Sequence, residues 1–164
     1  MLPHATETPG RETAALLRAE SAGAILESKG TEIWSIEPDA TVYDAIWLMD
    51  QKRSGALVVL SGGKLAGIIS ERDYARKVIL RGRSSKDTTV REIMTSEVIT
   101  VSPDESVETC LRIMTNRRIR HLPVVENGAL KGLLSIGDLV RSVISAQADA
   151  LKHLNHYIGG TYPA

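Results

Sequence analysis

Residues 67–73 read GIISERD, and residues 132–138 read GLLSIGD. A glycine, two aliphatic residues, a serine, two variable positions and an aspartate thus occur twice, 132 − 67 = 65 positions apart. Carried outward, the same offset aligns 33–79 with 98–144 without a gap. Fifteen of the 47 pairs are identical, among them Pro38/Pro103, Val42/Val107, Met49/Met114, Arg53/Arg118, Gly63/Gly128, Ser70/Ser135 and Asp73/Asp138. A fixed internal offset of this kind marks two copies of one supersecondary unit. Two copies are too few to stack as a solenoid. A pseudo-twofold pair sharing one core is expected.

Each copy reads in the same order. A short strand (33–36, 98–101) meets Pro38 or Pro103, a stop for strand pairing. A helix follows, with Val42, Ala45, Ile46 and Met49 in one copy and Val107, Cys110, Leu111 and Met114 in the other. That spacing of i, i+3, i+4, i+7 buries one helical face. Thr41 and Ser106 stand where N-caps are needed. Next comes a hairpin, 56–60 with 64–70 around Ser61-Gly62-Gly63, repeated as 122–125 with 130–135 around Asn127-Gly128. Glycine and asparagine supply the positive φ that tight hairpin turns require. A second helix, about 71–81 or 136–148, closes each copy. The unit is β-α-β-β-α.

Composition narrows the function. The chain has 164 residues, 20 Lys plus Arg against 20 Asp plus Glu, no Phe, 4% aromatics and one cysteine, Cys110. Zero net charge and few aromatics speak against nucleic-acid binding, which rests on basic surface and stacking platforms. A lone cysteine excludes an intrachain disulfide and a multi-cysteine zinc site. Cys110 on the buried stripe reads as a small core residue. No apolar run approaches the roughly 18 residues of a membrane helix. The N-terminus shows no signal-peptide pattern, and Glu7, Glu12 and Glu20 do not suit a transit peptide. The expected compartment is the cytoplasm, with no membrane contact.

The order strand, helix, hairpin, then Gly-φ-φ-Ser-x-x-Asp opening the last helix resembles the CBS domain, here as a tandem pair. "SGALVV" (54–59) and "RIRHLPVV" (118–125) add to the likeness, which covers about 30–148 and is similar to stand-alone bacterial and plant organellar single-pair proteins. The expected fold class is α/β, two pseudo-twofold-related β-α-β-β-α repeats with flanking N- and C-terminal helices. The expected boundaries are a flexible N-terminus (1–11), a leading helix (12–29), repeat 1 (30–82), a polar linker (83–94), repeat 2 (95–148) and a C-terminal helix end and tail (149–164). The resemblance implies a non-catalytic regulatory module that forms a homodimer and binds an adenine nucleotide in the cleft between repeats. AMP, ATP, NAD(H) and S-adenosylmethionine all carry the adenosine concerned.

Without the family, Ser70-x-x-Asp73 and Ser135-x-x-Asp138 read as capping boxes, each satisfying a helix start. Three features add a ligand reading. Gly67 and Gly132 leave room for a close approach. The first turn of a helix offers free amides and a positive dipole end, suited to phosphate. An aspartate there accepts two ribose hydroxyls, and a serine hydroxyl serves ribose or phosphate. The resemblance implies Asp73 and Asp138 on ribose diols, with Ser70 and Ser135 beside them. The copies differ in charge: Arg120 and His121 stand where the first has Gly55 and Ala56, and Glu71-Arg72 stands where the second has Ile136-Gly137. Arg120 and His121 are the main phosphate candidates, with Arg72 and the linker residues Arg83, Ser84 and Lys86 as additions. Thr100 and Pro123 border the slot expected for adenine.

Tyr43 and Trp47 lie i, i+4 off the main stripe, where the second copy has Glu108 and Arg112, an i, i+4 ion pair. Either the leading helix or a second subunit is expected to cover the aromatic pair. His153 and His156 read as a solvated helical face. A target protein, for example a thioredoxin-like one, is the alternative output, with nucleotide only tuning it.

Overall fold

The computed structural model describes residues 8–30 and 32–159. Residues 1–7 of the expected N-terminal segment and 160–164 of the expected tail lie outside these. The elements run α1 (Pro9–Ala19), α2 (Ala22–Lys29), β1 (Ser35–Ile36), α3 (Val42–Lys52), β2 (Ala56–Ser61), β3 (Lys64–Ser70), α4 (Glu71–Lys77), a 3-10 turn (Ile79–Arg81), α5 (Val90–Ile93), α6 (Val107–Arg117), β4 (His121–Glu126), β5 (Ala129–Ser135) and α7 (Ile136–Gly159). They divide into two bodies. Among the described residues, the first-repeat body holds 32–100 and 123–133; the second-repeat body holds 8–30, 101–122 and 134–159.

In the first-repeat body, the Thr41 hydroxyl accepts the Asp44 amide at 3.1 Å and starts α3. The helix buries Val42, Ala45 and Met49 and ends at Arg53 in the left-handed region, φ 50°. β1 pairs parallel to β2, and β2 pairs antiparallel to β3 from Ala56↔Ser70 to Ser61↔Lys64, turning at Gly62 and Gly63 with φ of 56° and 79°. Leu57, Val59 and Ile69 meet the α3 stripe, and Val78, Val90 and Ile93 complete the core. Each such aliphatic side chain contributes about 1.5–3 kcal/mol on burial.

The second-repeat body repeats the pattern. Ser106 Oγ accepts the Thr109 amide at 3.1 Å, and α6 buries Val107, Cys110 and Met114 and ends at Arg118, φ 54°. Burial pushes the Cys110 thiol up to about 11, as suits an unreactive core residue. The β4–β5 hairpin, whose residues 123–133 belong to the first-repeat body, turns at Asn127 and Gly128, φ 51° and 76°. α1 packs on α6 and α7, with Leu17 buried.

Three hydrogen bonds locate the segment that leads into each repeat. In the first-repeat body Val42 N donates to Thr88 O, Val90 N to Ala40 O and Arg91 N to Pro38 O. In the second-repeat body Val107 N donates to Glu20 O, Ala22 N to Glu105 O and Gly23 N to Pro103 O. The positions correspond one by one, so 88–91 does for α3 what 20–23 does for α6. The lead-ins are therefore exchanged: the segment before repeat 2 completes the helix start of repeat 1, and the reverse holds. The later part of the expected linker 83–94 accordingly joins the first-repeat core, contributing buried Thr88, Val90 and Ile93, while Arg83, Ser84, Lys86 and Asp87 stay exposed.

Four local expectations are corrected. The leading helix 12–29 is two helices, because Ser21 turns extended and caps Ala24 N at 3.1 Å. Residues 98–101 do not form a strand; Val101 alone makes a single β-type pairing. The helix 71–81 ends at Lys77, followed by the 3-10 turn. The helix 136–148 and the trailing helix expected to follow it are one continuous helix, Ile136–Gly159, which buries Ala150 beyond the expected end.

Candidate functional site

At the start of α4, the backbone and the side chain of Ser70 hold the Asp73 carboxylate. Ser70 N and Ser70 Oγ donate to Asp73 Oδ2 at 2.9 and 3.1 Å, and Asp73 N donates to Ser70 Oγ at 3.2 Å. Asp73 Oδ1 faces Lys77 Nζ at 2.9 Å, one turn along the same helix. Lys77 also donates to Ile93 O at 2.8 Å, so α5 steadies the cation. Glu71 N donates to Gly55 O at 3.0 Å, tying the helix start to the chain entering β2.

The start of α7 has the same frame with different cations. Ser135 N donates to Asp138 Oδ2 at 2.8 Å, and Asp138 N donates to Ser135 Oγ at 3.2 Å. Ile136 N donates to Arg120 O at 2.8 Å, the counterpart of the Glu71–Gly55 bond. Lys29 Nζ, from the last residue of α2, lies 2.7 Å from Asp138 Oδ2, and Arg141 Nη2 lies 2.5 Å from Oδ1. The Asp138 side chain is only 3% exposed. Burial alone would push its carboxyl up; the Lys29 ammonium and the Ser135 amide outweigh that and hold it below the usual carboxylate range.

His121 opens β4 and is partly buried. Burial, with the Lys29 charge adding to it and Asp138 opposing, pulls its imidazole down to about 4. It is therefore neutral at pH 7, a hydrogen-bonding group and not a standing cation. Arg120, beside it, is exposed.

The second-repeat body thus gathers His121, Ser135 and Asp138, with Lys29 and Arg141 added, and Arg120 adjoins through its carbonyl. The first-repeat body gathers Ser70 and Asp73, with Lys77 added. The other expected residues have separate surroundings. Arg83 Nη2 pairs with Glu92 Oε1 at 2.6 Å, Lys86 Nζ sits 4.9 Å from the centre of the Tyr43 ring, and Ser84 O accepts the Thr88 hydroxyl at 2.7 Å. Arg72 and Thr100 are exposed, and Pro123 is buried in β4.

Two readings of the sequence change. A Cβ on Gly67 would come within 2.8 Å of both Met94 Sδ and Thr95 O, so this glycine makes room for the chain's own 94–95 segment. His153 is not merely solvated: its Nδ1 contacts Glu12 Oε1, which joins α7 to α1. Lys29 is the functional candidate that sequence reading missed. It lies 109 residues from Asp138, and no spacing rule connects them.

Tyr43 and Trp47 remain 46% and 56% exposed. The corresponding face of α6 carries the Glu108–Arg112 pair at 3.3 Å, with Arg18 of α1 3.7 Å from Glu108.

Comparison with known proteins follows the repeat. A CBS-domain family model matches residues 30–79 and 90–145. The mitochondrial CBS domain-containing protein CBSX3 of Arabidopsis thaliana is 47% identical over 148 residues, covering 84% of this chain and 71% of that one. The CBS domain-containing protein YhcV of Bacillus subtilis is 30% identical, covering 81% and 96%. A solved CBS-domain structure from Burkholderia ambifaria, assigned to signal transduction, is 50% identical with a TM-score of 0.75, covering 77% and 95%.

Proposed function

The chain belongs to the CBS-domain family as a tandem-pair regulatory module, and from this premise we propose that it binds an adenine nucleotide and does no catalysis itself. AMP, ATP and NAD(H) are the ligands of choice. The observation that carries the reading is the pair of Ser-x-x-Asp helix starts, each with its carboxylate fixed by a serine amide at 2.9 or 2.8 Å. A carboxylate so fixed accepts ribose hydroxyls without having to be ordered first. His121 and Arg120 beside Asp138 favour phosphate there, whereas Gly55 and Ala56 leave the first copy without such groups. Calorimetric titration of the purified chain with AMP, ATP, NAD and adenosine tests this. Binding of none of them at millimolar concentration ends the reading.

The module acts as a homodimer in this proposal. Support comes from Tyr43 and Trp47, two large side chains left exposed on α3, since aromatic residues are enriched at subunit interfaces. Trp47→Glu with Tyr43→Lys is expected to shift sedimentation from dimer to monomer without loss of helical dichroism. A wild-type monomer refutes it. The same exposed pair supports the alternative output, a target protein docked on α3. Among the described residues no helix is long and apolar enough to cross a membrane. The cytoplasm is the proposed compartment, and localisation of a tagged full-length chain to an organelle would overturn that.

A further inference from the structure

The two lead-in segments are equivalent at 20–23 and 88–91, but they do not stay in step. From Gly23 to Ile33 there are 33 − 23 = 10 positions, and from Arg91 to Val98 there are 98 − 91 = 7. The longer path goes with a longer helix: α2 has eight residues and α5 only four. The added turn ends at Lys29, closed by Gly30 at φ 102°, a conformation that L side chains rarely adopt. Its effect is to carry an ammonium to Asp138 Oδ2 from a separate element. Asp73 receives its cation from Lys77 on its own helix.

Three of the roughly four acceptor positions of the Asp138 carboxylate are taken, so the two hydroxyls of a ribose diol do not both find a vacant one. Oδ2 accepts from Ser135 N and Lys29, and Oδ1 accepts from Arg141. A ribose diol reaching it must take the place of a cation. Lys29 is 36% exposed on a flexible stem, so its ammonium is able to swing off into solvent. Its charge already acts on His121, the neighbour of Arg120, where the phosphate of the same ligand would lie.

Resting on the adenine-nucleotide reading, we propose that Lys29 is a specificity-determining residue of the second-repeat site: it latches Asp138 while the site is empty, yields to ribose, and then binds the ligand's phosphate. The latch penalises nucleosides, which displace Lys29 and give it nothing in return. Nucleotides recover the loss through a charge-assisted contact.

The test is calorimetry with AMP, adenosine and inorganic phosphate on the full chain carrying Asp73→Asn, which leaves the second-repeat site to report. Lys29→Met is expected to lower the AMP-to-adenosine affinity ratio roughly 10-fold or more, with adenosine bound more tightly than in the parent. Lys29→Arg, which keeps the charge, is expected to retain the preference for AMP. An AMP-to-adenosine ratio unchanged by Lys29→Met, with the fold intact by dichroism, overturns the role of Lys29 but leaves nucleotide binding standing. Binding of inorganic phosphate as tight as AMP, lost equally in Lys29→Met, shows a bare anion site and overturns the latch. Failure of the Asp73→Asn protein to bind AMP or adenosine, where the wild type binds, removes the second-repeat site and the proposal with it. Failure of the wild type as well removes the nucleotide reading itself.

Discussion

The helix starts at Ser70–Asp73 and Ser135–Asp138 share every backbone contact and differ in what surrounds the carboxylate. Among the described residues, Asp73 pairs with Lys77, four residues along its own helix. Asp138 is more deeply buried and lies between Arg141 of its own helix and Lys29 of α2. The capping frame belongs to the repeat; the charge belongs to the individual copy. One motif therefore serves as a nearly neutral, locally satisfied start in one body and as the centre of a charged cluster in the other.

The largest expected difference is in stability. Asp73→Ala removes a cap and one exposed i, i+4 pair, a loss of about 1 kcal/mol. Asp138→Ala removes a cap and leaves Lys29 and Arg141 facing each other across the vacated position. Breaking a buried pair costs about 3–5 kcal/mol, and the solvent access of both cations brings this down to about 2–4 kcal/mol. Urea denaturation of the two variants measures the gap. Equal losses would mean that the extra cations of the second copy count for nothing.

A smaller difference is expected on acidification. The imidazole of His121 falls from an ordinary value near 6.5 to about 4 in the folded chain, so the unfolded state binds the proton more readily. Stability is thus complete above about pH 6.5 and declines as the pH falls toward 4, by on the order of 2 kcal/mol. Asp138, whose carboxyl is lowered, adds loss in the same direction only below its ordinary range near 3.8. His121→Ala, which installs the residue that the first copy has at Ala56, should flatten the decline between pH 6.5 and 4. An equally steep decline in the variant would show that His121 is not its source.

Much of this was legible because the repeat states it twice. Thr41 and Ser106 cap as expected, and Gly63 and Gly128 turn their hairpins with φ of 79° and 76°. Such features depend on residues within a few positions of one another. Ser21 was a readable helix start that the apolar residues on both sides of it concealed. The exchanged lead-ins and the Lys29–Asp138 pair left no local trace, since both join segments far apart in the chain. Gly67 misled for a related reason: a missing side chain signals a close neighbour but does not say whether it is a ligand or the chain itself.

The central claim is that both aspartates, alike in frame and unlike in charge, receive the ribose of an adenine nucleotide. Calorimetric titration of AMP into the wild type, Asp73→Ala and Asp138→Ala tests it most directly. Each variant is expected to lose one of two binding events, by roughly 10- to 150-fold in affinity at the altered site, the charged-hydrogen-bond loss of about 1.5–3 kcal/mol. AMP bound with wild-type affinity and stoichiometry by both variants would contradict it, and would leave Asp73 and Asp138 as the capping residues of two helices.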